Sequence, residues 1–175
     1  MEKQYSNKIL ISKLIILNIL TLGIYHIYWT YRNWKYIKKY AKKGIRPGWR
    51  TVGLIVPIYN IWLIYDQFRS IIELANKKKV KTSWSAGGLT ALFVILAIIT
   101  TRISWKLPED YIFIFLDPIL TSIAILPLIP IQNYFNRYWD KVQKHNLKSE
   151  FTTTEIILMT LGIIFWVLII IIGIY

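Results

Sequence analysis

Apolar residues in this chain are gathered into long runs instead of the periodic stripes typical of a soluble fold. Three runs reach the roughly 18 to 20 residues that a helix needs to cross a hydrocarbon layer about 30 Å thick. A fourth contains prolines but is long enough once its aromatic flanks are included. The pattern predicts an all-α integral membrane protein that forms a single membrane domain over 1–175. About four transmembrane helices are expected, at roughly 10–31, 84–104, 118–136 and 153–174.

The apolar run within 51–68 is shorter and is interrupted by Pro57 and Asn60. It is flanked by eight cations and no acid over 32–50, and by five cations and one acid over 69–81. A full crossing would place one of these basic flanks outside, against the tendency of Lys and Arg to remain in the cytoplasm. We therefore expect a re-entrant or interfacial hairpin broken by proline, with a fifth crossing as the alternative. The charges of the remaining loops place both termini outside and 137–150 inside.

The segment 30–43 has the pattern of a basic amphipathic surface helix. At about 100° per residue, its aromatic and aliphatic residues fall on one side and its cations on the other. A helix with this composition is expected to lie in the headgroup plane of a membrane. The cationic face consists of Arg32, Lys35, Lys38, Lys39, Lys42 and Lys43.

A weak internal repeat accompanies these elements. The segments "GIYHIYWTY" at 23–31, "PIYNIWLIY" at 57–65 and "PIQNYFNRY" at 130–138 align without gaps. Each begins with Gly or Pro, continues through His or Asn to aromatic residues, and is followed by charge. The repeat predicts a helix break at the start of each copy.

Two further patterns predict helix starts. Thr152 followed by Glu155 has the spacing of a capping box before the last apolar run. Asp117 followed by Pro118 has the form of an N-cap with proline at the first helical position.

Composition narrows the function classes. The chain is 55% hydrophobic, has a formal net charge of +13, and contains no cysteine and two histidines. Disulfides, thiolate metal sites and a cysteine nucleophile are excluded, and no catalytic motif is present. We predict a protein without enzymatic activity, cofactor or metal. Because its cations lie between apolar runs, the expected partners are anionic lipid headgroups of the cytoplasmic membrane, with a protein partner or homo-oligomer also open and nucleic acid not expected.

Three segments, "TLGIYHIYWTYRNWKYIKK", "RPGWRTVGLIVPIYNI" and "LPLIPIQNYFNRYW", carry a family resemblance. The chain resembles small prokaryotic multi-pass membrane proteins of the domain-of-unknown-function four-two-three-four family, in which a Thr-x-Gly-Ile-Tyr-x-x-Tyr-Trp segment closes a membrane helix. In that family the Gly-Ile-Tyr segment often recurs, whereas the second copy here is Pro-Ile-Tyr. The resemblance implies a membrane location and a helical fold, and no activity.

Two sets of candidate site residues follow. Headgroup contact is predicted for the cationic face named above, together with Trp29 and Trp34. A polar site at the inner face is predicted where two charged ladders with helical spacing pack together. The first ladder is Asp66, Arg69 and Glu73, and the second is Asn133, Arg137 and Asp140. The predicted polar site comprises Asn60, Asp66, Arg69, Asn133, Arg137 and Asp140. The leading function is binding of anionic lipid or a protein partner; the alternatives are a small transporter or channel subunit and, third, a lipid-modifying enzyme.

Overall fold

The chain folds into helices that match the predicted class. A computed structural model describes residues 6–106, 120, 122–143 and 150–174. Within these ranges there are seven α-helices, one 3-10 turn and no strand, so the all-α prediction is confirmed. The helices are α1 (Ile11–Leu20), α2 (Ile24–Tyr40), α3 (Pro47–Val52), α4 (Pro57–Lys77), α5 (Ala86–Ser104), α6 (Leu128–Val142) and α7 (Thr153–Ile174), with the 3-10 turn at Gly53–Ile55.

Two of these helices are candidate membrane spans. Among the described residues, Ala86–Ser104 and Thr153–Ile171 have the length and mean hydropathy, 1.9 and 2.5, to cross a bilayer. Only 17% and 11% of these windows is buried inside the protein. The core helix of a soluble protein would be mostly buried, so these exposed apolar faces favour contact with lipid. Both helices coincide with predicted crossings, at 84–104 and 153–174.

The predicted crossing over 10–31 is not one continuous helix. The chain turns at 21–23, where Leu22 and Gly23 adopt φ angles of 50° and 83°, in the left-handed region that glycine tolerates best. Lys13 and Tyr25 both contact the carboxylate of Glu155, although a straight helix would separate residues twelve apart by about 18 Å. The chain therefore doubles back, and α1 is too short to cross a bilayer by itself.

The N-terminal segment lies beside α6. The Asn7 amide donates to Gln143 Oε1 at 3.1 Å. Asn136 accepts from the Ile9 amide at 3.1 Å and donates to the Ile9 carbonyl at 2.7 Å. These contacts place the start of the described chain next to the segment predicted to be internal. The prediction of an N-terminus on the opposite side from 137–150 therefore does not agree with the fold.

The segment 51–68 changes direction before Pro57. Gly53–Ile55 forms the 3-10 turn, Val56 is extended with ψ of 111°, and Pro57 is the first residue of α4. Proline fits that position because the first amide of a helix needs no intrahelical acceptor. Pro57 thus begins a helix of 21 residues. The predicted amphipathic helix over 30–43 corresponds to the second half of α2, which ends at Tyr40, three residues earlier than predicted.

The core is formed by α2, α4 and α6, whose C-terminal ends lie together. Trp29 Nε1 donates to Gln132 Oε1 at 2.7 Å near the start of α2 and α6, and the rings of Tyr40 and Trp139 lie 4.9 Å apart near their ends. Lys141 on α6 donates to the Lys78 carbonyl just beyond α4. Large aromatic side chains fill the interior because each buries extensive apolar surface. The fully buried aromatic residues include Tyr25, Trp29, Trp34, Phe68, Phe135 and Trp139.

The internal repeat corresponds to helix starts in its first two copies. Gly23 is the N-cap of α2 and Pro57 the first residue of α4, so both predicted breaks are confirmed. Tyr31 and Tyr65, at the ends of these copies, are each 37% exposed. The third copy is offset, because Pro130 is the third residue of α6. The predicted cap at 117–118 and the first part of the predicted crossing 118–136 lie outside the described residues.

Candidate functional site

The first turn of α7 carries the predicted capping box. The Thr152 amide donates to Glu155 Oε2 at 2.8 Å, and the Glu155 amide donates to Thr152 Oγ1 at 3.2 Å. This reciprocal pair satisfies two amides that lack intrahelical partners. The prediction is confirmed, and it fixes the position of the Glu155 carboxylate.

Glu155 is also the centre of a buried charge cluster. Its side chain is fully buried, 2.6 Å from Lys13 Nζ and 3.2 Å from Arg32 Nη1. The hydroxyl of Tyr25 donates to the same carboxylate at 3.0 Å. A buried carboxylate is tolerated only when it is paired and hydrogen-bonded. The cluster therefore joins α1, α2 and α7 at one point.

From the sequence, Glu155 is expected only to cap α7, and Lys13 has no predicted role. A signal was present, because Lys13 is the one charge in the first apolar run and Glu155 the one charge in the last. Opposite lone charges in two apolar segments are expected to pair. Their pairing with Arg32 depends on the reversal of chain direction at 21–23; the repeat predicts a break at Gly23 but not that the chain turns back there.

Arg32 is held in place from three sides. Its Nη1 donates to Glu155, Nη2 to the Asn7 carbonyl at 3.3 Å, and Nε to the Tyr36 hydroxyl at 3.4 Å. Burial by itself lowers the pKa of Arg32, but Tyr36 and Glu155 outweigh it and the pKa lies above its usual value. The guanidinium is therefore a fixed, permanent positive charge.

A cleft of about 550 Å³ opens beside this cluster. Its walls come from the N-terminal segment, α2 and the residues that lead into α7. Its lining combines two cations, three tyrosines and three threonines with Glu150 and Phe151. The residues that face it are Ser6, Asn7, Tyr28, Tyr31, Arg32, Lys35, Tyr36, Glu150, Phe151, Thr152, Thr153 and Thr154.

The predicted cationic face is divided between surface and interior. Lys35, Lys38, Lys39 and Lys42 are exposed, whereas Arg32 is bound to Glu155. Lys43 is partly buried; it donates to Ser70 Oγ at 2.7 Å and lies 3.6 Å from Asp66. Four of the six cations are thus positioned to meet a partner outside the chain.

Trp29 and Trp34 do not lie on that surface. Both side chains are completely buried. Trp29 bonds to Gln132, and the guanidinium carbon of Arg50 lies 4.4 Å from the ring of Trp34. Their predicted contact with headgroups does not agree with this burial, because both rings pack within the protein.

The side chains of the predicted inner polar site do not converge on one point. Asp66 forms ion pairs with Arg50 and Lys43, residues outside either ladder. Arg69 is exposed and pairs with Glu73 at 2.7 Å, a hydrogen bond that raises the pKa of Arg69. Asn60 is partly buried near the start of α4.

The second ladder lies on the exposed side of α6. Asn133, Arg137 and Asp140 are all exposed, and Asp140 pairs with Lys8 of the N-terminal segment. Asp66 and Asp140 therefore have separate partners from different elements. Among the described residues, no group of three or more His, Asp and Glu side chains converges on a point where a metal could bind.

The fold and site together define a helical protein with two candidate membrane-spanning helices and a buried ionic cluster where the second begins. No family model, curated protein or solved structure matches the chain. The resemblance to the four-two-three-four family stays a prediction.

Proposed function

We propose that this chain is a multi-pass protein of the cytoplasmic membrane without enzymatic activity, and that its basic end binds anionic lipid headgroups. The observation that carries the proposal is the separation of exposed apolar and exposed cationic residues toward opposite ends of one helical core. A membrane protein requires such a division because hydrocarbon and headgroups meet different parts of its surface.

The apolar end contains the candidate spans and the start of α4. Ile58 is 85% exposed and Leu161 57% exposed, which is unfavourable in water over so large an area. Helix α5 runs antiparallel to α4, since Tyr65 and Gly87 line one groove while Pro57 and Trp105 line another. Helix α7 runs from the level of Arg32 toward the turn at 21–23, where Gly162 approaches Leu20.

The cationic end contains the C-terminal ends of α2, α4 and α6. Each exposed cation near an anionic membrane contributes on the order of 1 kcal/mol to attraction. Several cations on three adjacent helices therefore act together. Within the described part of the chain, the exposed lysines at this end are Lys35, Lys38, Lys39, Lys42, Lys77, Lys78, Lys79, Lys81 and Lys141.

The proposed topology has full crossings by α5 and α7 that both start on the basic side, a return crossing between them that ends with α6, and the α1–α2 and α3–α4 pairs entering and leaving on the basic side. Single cysteines test it, because the chain has none of its own. Cysteines at Gly44 and Lys78 should be labelled from the same side of a sealed vesicle, and one at Trp105 from the other. Labelling of the first two from opposite sides would rule out the α3–α4 hairpin.

Lipid preference is tested with two variants of equal charge change. Lys38→Gln with Lys42→Gln removes two cations at the basic end, whereas Arg102→Gln with Lys106→Gln removes two exposed cations at the far end of α5. The full chain is extracted in native-lipid discs, and the co-purified lipids are measured by mass spectrometry. Anionic lipid should be enriched in the parent chain and in the second variant, and reduced in the first. Equal enrichment in all three would count against the proposal.

A transporter or channel subunit is the alternative function. The charges in the two candidate spans, Arg102 and Glu155, lie at helix ends, which offers little support for ion coupling through their apolar middles. Reconstituted vesicles that take up or conduct ions above the level of empty vesicles would favour the alternative.

A further inference from the structure

The cleft beside Glu155 has the position and lining of a headgroup site. It lies where the apolar helix α7 begins and where the exposed part of α2 changes from apolar to cationic. Tyr31 and Phe151, which are 37% and 48% exposed, stand at its rim. Aromatic side chains of this kind are typical of the membrane interface.

Arg32 supplies a fixed cation to the wall of this cleft. Its hydrogen bonds to Glu155, Asn7 and Tyr36 use each guanidinium nitrogen once. A guanidinium has five N–H donors, so two remain for a further acceptor. Because the group is already ordered, a ligand would not have to immobilise a flexible side chain.

Lys35 supplies a second cation that is exposed. Its ammonium lies 5.7 Å from the centre of the Tyr31 ring, on the next turn of α2 from Arg32. The two positive charges of Lys13 and Arg32 exceed the one negative charge of Glu155, so the buried cluster retains one positive charge. With Lys35 the excess is two, opposed at the exposed rim by Glu150.

The remaining lining offers hydroxyl groups. Tyr36 donates its hydroxyl proton to Asn7 Oδ1 at 2.8 Å, and Tyr28 and Thr152 hydrogen-bond to each other at 3.2 Å. The hydroxyl groups of Tyr31, Thr153 and Thr154 complete this part of the lining and are the donors offered to a ligand. A volume of about 550 Å³ falls within the range of small-ligand pockets. Cations combined with hydroxyl donors are suited to phosphate oxygens.

We propose that the cleft binds one phosphate-bearing lipid headgroup, with the phosphate between Arg32 and Lys35 and the acyl chains along the exposed apolar side of α7. This site rests on the proposed function but goes further, because it requires a defined pocket instead of a diffuse basic surface.

The test uses the full chain in discs of phosphatidylcholine with a small fraction of phosphatidylglycerol, and native mass spectrometry counts the lipid that stays bound. Lys35→Gln should weaken the binding of the most tightly held phosphatidylglycerol molecule about fivefold. Lys39→Gln, one turn further along the same face, should leave the affinity for that molecule unchanged. Thr154→Trp fills the cleft without a change of charge and should abolish that binding. Its control is Thr160→Trp on the exposed part of α7 outside the cleft.

Each outcome has a distinct meaning. Equal weakening by Lys35→Gln and Lys39→Gln, with phosphatidylglycerol still enriched, would overturn the cleft and leave the basic surface. No enrichment in the parent chain would overturn both proposals. Displacement of the lipid by millimolar inorganic phosphate would assign the cleft to soluble phosphate instead. If Thr154→Trp does not fold, as judged by gel filtration, the lysine pair decides the matter.

Discussion

Replacement of Glu155 by Gln gives the sharpest test of the fold. The change preserves side-chain size but removes the charge that pairs with Lys13 at 2.6 Å and Arg32 at 3.2 Å. Those cations are only 5% and 11% exposed, so neither can recover its hydration without movement of α1 or α2. Removal of one partner from a buried ion pair costs about 3 to 5 kcal/mol. We expect the free energy of unfolding to fall by about that amount.

The assay is reversible unfolding of the purified chain in mild detergent, followed by tryptophan fluorescence because Trp29 lies on the same helix as Arg32. Glu73→Gln is the matched control, since it makes the same substitution in the exposed pair with Arg69. It should change stability little, because water replaces an exposed ion pair readily. If Glu155→Gln is no more destabilising than Glu73→Gln, the buried cluster does not stabilise the fold as described.

A second substitution separates the lost charge from the loss of packing. Lys13→Met in the Glu155→Gln background removes one of the two unpaired cations while it keeps a long apolar side chain. Paired removal of buried charges is often close to neutral. The double variant should therefore recover part of the lost stability, and a further loss upon the second substitution would contradict the electrostatic explanation.

Two further predictions concern contacts that hold the helices together. Gly162→Ala would place a Cβ 2.4 Å from the Leu20 carbonyl oxygen, so the unfolding free energy should fall by about 1 to 3 kcal/mol. Gly87→Ala is the control, because nothing lies within 4 Å of the added Cβ; it should be neutral or stabilising in the same unfolding assay. Arg50→Lys should lower the unfolding free energy by about 1 kcal/mol because Lys retains the pair with Asp66 but lacks the flat group that stacks on tryptophan; equal stability of the variant would show that stacking is not required.

The buried cluster also explains why α7, the most apolar helix, has a fixed position. An apolar helix in lipid gains little from apolar contact with another helix, because lipid tails are equally apolar. Polar contacts and close packing must provide the specificity. Glu155 supplies the polar contacts, to Lys13 and Arg32, and Gly162 supplies the close packing, against Leu20.

Several elements could be predicted because their causes are local. The bounds of α5 and α7 follow from uninterrupted apolar runs, and the start of α7 from the spacing of Thr152 and Glu155. The breaks at Gly23 and Pro57 follow from residues that restrict or relax the backbone. In each case neighbours in sequence decide the outcome.

The candidate site could be predicted only in part. The exposure of the α2 lysines could be predicted from helical periodicity. The burial of Trp29 and Trp34 could not, because a face that contacts lipid and a face that packs in the protein core have the same aromatic sequence pattern. The pairing of Asp66 with Arg50 forms only because α3 folds back onto α4. It could not be inferred from the spacing of charged residues along a single helix.

The sequence by itself determined that the chain is helical, that two helices are apolar enough to span a membrane, and that cations collect between apolar runs. These properties depend on composition and on spacing within single segments. The tertiary structure decided that the first apolar run doubles back at 21–23 and that Lys13, Arg32 and Glu155 meet in the interior. The physical reason is that a buried charge is stable only beside a specific opposite charge, and such partners come from segments more than a hundred residues apart.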